Sequence, residues 1–118
     1  MKKVALIAVL LMMGLCDSNG ADEPDVGSGN YMLPHCRHVT LGGNNYDPWD
    51  GSCTGTLETL IFLGASLSGE YKICAPKQAT RLQSAQIVVL YMQRHPQDLH
   101  RPFVWLAVRA LSEGWPCP

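Results

Sequence analysis

The sequence has no excess of charge of either sign: 9 Lys and Arg stand against 10 Asp and Glu, a formal net charge of −1 at pH 7. That balance excludes the basic footprint of a nucleic-acid binder. There is no internal repeat and no heptad run long enough for a coiled coil. Glycine-rich phosphate loops and nucleophile elbows are lacking too. No pair of carboxylates is set for general acid–base work, because Asp47 and Asp50 lie in one loop and read as turn residues. No segment alternates polar and apolar residues for long enough to make a strand, so the fold class read from the chain is all-α. With no catalytic pattern in view, the chain reads as a non-enzyme without a cofactor.

What is present begins with an export signal. Met1-Lys2-Lys3 is followed by the apolar run Val4 to Leu15 and then by a polar exit, the pattern of a secretory signal peptide over residues 1–20. Cleavage after Gly20 or after Ala21 fits the small residues there. A lipoprotein anchored through Cys16, which directly follows Leu15, and an uncleaved anchor are the alternatives. Export leaves Cys36, Cys53, Cys74 and Cys117, an even set that reads as two disulfides in an oxidising compartment. The remaining domain, residues 28–118, is expected to be a bundle of about four helices, periplasmic and with no membrane span.

Cys53 to Leu67 is apolar on nearly every side and reads as the central, covered helix, too short to cross a bilayer. Before it, Ser28 can cap a short first helix reaching about His38, limited by Pro34. Val39 to Ser52 holds Gly42-Gly43, Asn44-Asn45, Asp47-Pro48 and Asp50-Gly51, all turn formers, and reads as a long irregular loop. Its Tyr46 and Trp49 either fold back onto the core or face a partner. After Ser68-Gly69, Thr80-x-x-Gln83 forms a capping box for a third helix running to about Arg94, with Leu82, Ala85, Val89 and Met92 on one face. His95-Pro96 ends that helix. Pro102 opens a fourth, in which Phe103, Leu106, Ala107, Ala110, Leu111 and Gly114 make one stripe with Arg101, Arg109, Ser112 and Glu113 opposite.

Four cysteines allow three connectivities, and spacing alone does not choose. An up-and-down course brings Cys36 near Cys53 at one end and Cys74 near Cys117 at the other; Cys36–Cys117 with Cys53–Cys74 is the next arrangement. His35-Cys36-Arg37-His38 sets two imidazoles beside a thiol, but a zinc site would need further ligands from distant segments and a bridged Cys36 has no thiolate to offer. No metal site is expected from this.

Ser28-Gly29-Asn30, Leu33, Cys36, Cys53-x-Gly55, Cys74-x-Pro76, Gln83, Val88-Val89, Tyr91, His95-Pro96, Pro102, Leu106, Ala110-Leu111 and Pro116-Cys117 follow one another in order. This ordered set resembles the Rap/Tai family of type VI secretion immunity proteins over Ser28 to Cys117. The resemblance implies a small helical periplasmic protein, often a homodimer, that binds and blocks a cell-wall amidase effector and so protects the producer and its sister cells. Pro34 and the long loop Val39–Ser52 depart from the family pattern. Within that loop Asn44, Asn45, Tyr46 and Trp49 are the candidate partner-binding residues, with Gln97–Arg101 a second candidate loop. The other reading is a periplasmic envelope-stress or chaperone-like binding protein with no amidase partner.

Overall fold

The computed structural model describes residues 23–118; the expected signal peptide lies outside the described residues. Four α-helices follow one another, α1 Gly29–Leu41, α2 Pro48–Leu63, α3 Arg81–Arg94 and α4 Phe103–Gly114. Among the described residues no strand forms, and the single isolated bridge joins Ser28 to Pro102. The all-α bundle expected from the chain is what forms, and it carries both disulfides in the expected arrangement, Cys36–Cys53 and Cys74–Cys117.

The start of α1 shows why its first residues are Ser-Gly-Asn. Ser28 Oγ accepts the Tyr31 N–H at 3.2 Å, filling one of the unpaired donors of the first turn. Gly29 N–H donates to Arg101 O at 3.0 Å and Asn30 N–H to Leu99 O at 2.7 Å, so the helix entry is stitched to the α3–α4 connection. A Cβ on Gly29 would come within 2.3 Å of Leu106 Cδ1 and 3.0 Å of Leu99 O, leaving room for glycine alone. α1 runs on to Leu41 with Pro34 inside it, longer than the sequence reading allowed. Pro34 and Asn30, whose carbonyl it cannot serve, are both exposed, so water can take the place of the missing bond.

α2 differs most from expectation. It starts at Pro48, five residues before Cys53, and ends at Leu63, with Gly64–Ser66 forming a single 3-10 turn. The irregular stretch between α1 and α2 is therefore only residues 42–47. Nor is α2 wrapped by neighbours: its buried residues are Asp50, Cys53 and Leu57, while Phe62 is 86% exposed. Its apolar residues are spread around the circumference, and a helix packed on one side covers only some of them.

The centre of the molecule is instead α3 and α4 with the inner face of α1. Ala85, Val88, Val89 and Met92 of α3 meet Phe103, Leu106, Ala107, Ala110 and Leu111 of α4, joined by Met32, Cys36 and Val39. Each fully buried large side chain contributes roughly 1.5–3 kcal/mol. The Thr80–Gln83 capping box forms with both reciprocal bonds. Two assignments are corrected: Leu82, expected on the core face, is exposed, and Ser112, expected outside, is buried, with its hydroxyl satisfied by donating to Arg109 O at 3.0 Å. Gly64 lets Ile73 lie against the end of α2, where a Cβ would meet Ile73 O at 2.7 Å.

Candidate functional site

Tyr31, His35 and His38 fall at spacings of four and three along α1 and so share one face. The Cys36–Cys53 bridge beside them, with a Cα separation of 5.6 Å, holds that face against the beginning of α2. There the sequence Asp47-Pro48-Trp49-Asp50 makes a helix start, not a turn. Pro48 sits at the first helical position, where its fixed φ suits the helix and its missing N–H costs nothing. Asp47 Oδ1 accepts the Trp49 N–H at 2.8 Å and the Asp50 N–H at 2.9 Å. Asp50 Oδ2 in return accepts the Asp47 N–H at 3.2 Å, completing a capping box. The two carboxylates read as loop residues are the N-cap and the third residue of α2.

Asp50 is 0% exposed. A buried carboxylate must be hydrogen-bonded or paired, and α1 supplies the partners: His38 Nδ1 pairs with Asp50 Oδ2, and His35 Nδ1 lies 3.3 Å from Asp50 Oδ1. Burial by itself would raise the Asp50 carboxyl. Bonds from His38 and the Asp47 N–H, then the charge of His38 and the bond to His35, outweigh it and hold the carboxyl below its ordinary value. His35 Nδ1 also lies 3.3 Å from Asp47 Oδ2. Two imidazoles and two carboxylates thus meet across the α1–α2 seam.

Aromatic rings close over this cluster. Trp49 packs edge-on against Tyr31 with centroids 5.0 Å apart, and its ring lies 6.3 Å from that of His35. Trp49 therefore folds back onto the body of the protein. Tyr46 does not: it is 55% exposed, its ring 6.3 Å from His38. Asn44 and Asn45 are exposed beside it. Of the four candidate contact residues, the structure leaves three exposed and packs Trp49 against Tyr31 and His35. The second candidate loop, Gln97–Arg101, lies at the other end of α1, where its carbonyls hold Gly29 and Asn30; Arg101 lies over the Trp105 ring at 4.6 Å.

Sequence reasoning missed Asp47 and Asp50 as buried or capping groups, although the signal was there. Asp-Pro-x-Asp carries a capping residue, a proline suited to the first turn and a second carboxylate three residues on. His35 and His38, three residues apart, share one side of α1, but only the fold shows that this side meets the start of α2. Among the described residues no helix is long and apolar enough to cross a membrane.

A family model described as Rap1a immunity proteins matches residues 28–117. No curated protein and no solved structure matches the chain.

Proposed function

The chain belongs to the Rap1a immunity protein family, and from that premise we propose that it is a non-catalytic periplasmic inhibitor of a peptidoglycan amidase delivered by a type VI secretion system. The observation that carries this reading is the extent of the family match, which takes in all four helices and all four bridged cysteines. Two disulfides suit an oxidising compartment reached by export. A scaffold tied by two disulfides is preorganised, which lowers the ordering cost of filling a partner's cleft.

The contact surface in this proposal is the segment 42–47, with Asn44, Asn45 and Tyr46 reaching the effector. Trp49 acts indirectly, holding the segment's exit against Tyr31. Self-association is assigned to a different surface, the outer face of α2. Phe62 stands out from it, and Gly51 and Gly55 leave it open, with nothing within 4 Å of where their Cβ atoms would be. Mid-helix glycine costs about 1 kcal/mol relative to alanine, and a second backbone approaching closely would offset that cost.

The test is capture followed by titration. The oxidised protein is used as bait in periplasmic and secreted fractions of its own cell, and any captured protein is assayed for peptidoglycan hydrolysis. The proposal expects an amidase whose activity falls in proportion to added protein until the two are equimolar. No specific partner, or a captured hydrolase that stays active, would return the chain to the general class of envelope binding proteins.

A further inference from the structure

We propose that His35, Asp47 and Asp50 form a binding site for a divalent transition-metal ion of the zinc type, with His38 positioning Asp50. The inference concerns the chain itself and stands whether or not an amidase is its partner. It begins from a count of acceptors. Asp47 Oδ1 is occupied by two backbone N–H groups, and Asp50 Oδ2 by the Asp47 N–H and His38. The other two oxygens, Asp47 Oδ2 and Asp50 Oδ1, share one partner, His35 Nδ1, at 3.3 Å each. With its proton on Nε2, His35 offers a third lone pair at the same point.

The spacing suits an ion. Three ligand atoms, one from each residue, lie within 4.8 Å of one another. Four-coordinate zinc with bonds of about 2.0–2.2 Å sets its ligands about 3.3–3.6 Å apart, and both measured separations to His35 fall at that value. A mixed nitrogen and carboxylate set favours zinc over calcium or magnesium, which take oxygen ligands in larger number. Two carboxylates offset the positive end of the α2 dipole, which alone would repel a cation.

The surroundings complete the site. Asp50 is fully buried, His35 partly so, and Asp47 about half exposed. Entry is therefore from the Asp47 side, where a fourth position is open to water or to a group from a partner. His38 fixes the far oxygen of Asp50, the kind of outer contact that orients a metal ligand. The ligands from another segment that His35 lacked in the sequence are these two aspartates. The competing arrangement is His35 donating its Nδ1–H to the two carboxylates, with no ion.

Isothermal titration of the full oxidised chain, first stripped with a chelator, distinguishes the two. With zinc chloride as the probe, one ion should bind per chain, while magnesium and calcium give no saturable heat. Cobalt(II) at the same site should show visible absorption of a four-coordinate complex. Asp47→Asn keeps an oxygen that caps the helix yet removes the anionic ligand, and should weaken zinc at least tenfold. His35→Gln should abolish it, and His100→Gln, on an exposed turn, should leave it unchanged. Where His35→Gln loses the helical circular dichroism of the parent, Asp47→Asn decides. No stoichiometric uptake, or uptake that survives Asp47→Asn at full affinity, would overturn the proposal.

Discussion

The α3–α4 pair and the α1–α2 pair are built on different physics within one small domain. α3 and α4 meet through an apolar seam in which Ala85, Val88, Met92, Leu106, Ala107 and Leu111 are buried. α1 and α2 meet through a bridge, a buried carboxylate and two imidazoles. The first pair depends on area removed from water, which tolerates exchange of one apolar side chain for another of like volume. The second depends on particular atoms at particular distances, and a lost partner there leaves a buried polar group unsatisfied. The apolar pair serves as scaffold, and the polar pair presents the segment that the proposed function assigns to the effector.

Substitutions can break or sharpen this contrast. The largest effect is expected in the scaffold: Leu106→Ala, in a fully buried position, should cost about 2–5 kcal/mol, read as a shift in the urea midpoint. Leu60→Ala on half-buried α2 should cost well under half as much, and equal costs would erase the distinction.

Removal of the bridges comes next. Loops of 17 and 43 residues give chain-entropy contributions of about 3 and about 4 kcal/mol, so the Cys74/Cys117 pair of alanines should destabilise more than the Cys36/Cys53 pair. Reduction should follow exposure instead. Cys74 is exposed and Cys36 and Cys53 are buried, so partial treatment with a thiol, followed by alkylation and mass mapping, should find Cys74 and Cys117 modified first.

Asp50→Asn should cost about 1–3 kcal/mol, the range for a buried polar network left imperfectly paired, with amide exchange faster at the start of α2 than in α3. Uniform exchange across all helices would mean that Asp50 does not hold the seam. The smallest effect runs the other way. Gly55 has open space where a Cβ would sit, so Gly55→Ala should stabilise the isolated chain by roughly 0.5–1 kcal/mol. Self-association through α2, measured by sedimentation, should weaken in the same variant.

The contrast also explains what could be read from the chain. The Thr80–Gln83 box, the Phe103–Leu111 stripe and the end at His95-Pro96 are local signals, and each is found where the sequence places it. Leu82 and Ser112 were misplaced because a stripe wider than its seam does not say which edge is covered. The α1–α2 region was read less well, since its structure lies in contacts between segments. Pro34 argued for a short helix, yet only its exposure decides whether the missing bond matters. Asp47 and Asp50 carry the same letters as turn residues, and their role follows from where His35 and His38 lie across the seam. Apolar density misled at Cys53–Leu67, because Phe62 and Leu63 count toward a buried helix in the sequence and face outward in the fold. The two bridges follow from topology, given an up-and-down course of the helices.

The central claim is that the α1–α2 end carries inhibition and the α3–α4 pair supports it. The direct measurement is the inhibition constant of the oxidised protein against its captured amidase, compared for the parent, an Asn45→Ala/Tyr46→Ala variant and Leu90→Ser on the exposed side of α3. The account predicts at least a tenfold weaker constant, about 1.4 kcal/mol, for the first variant and an unchanged constant for Leu90→Ser. An unchanged constant for the loop variant, with a loss at Leu90, would place the working surface on the helices that this account makes the scaffold.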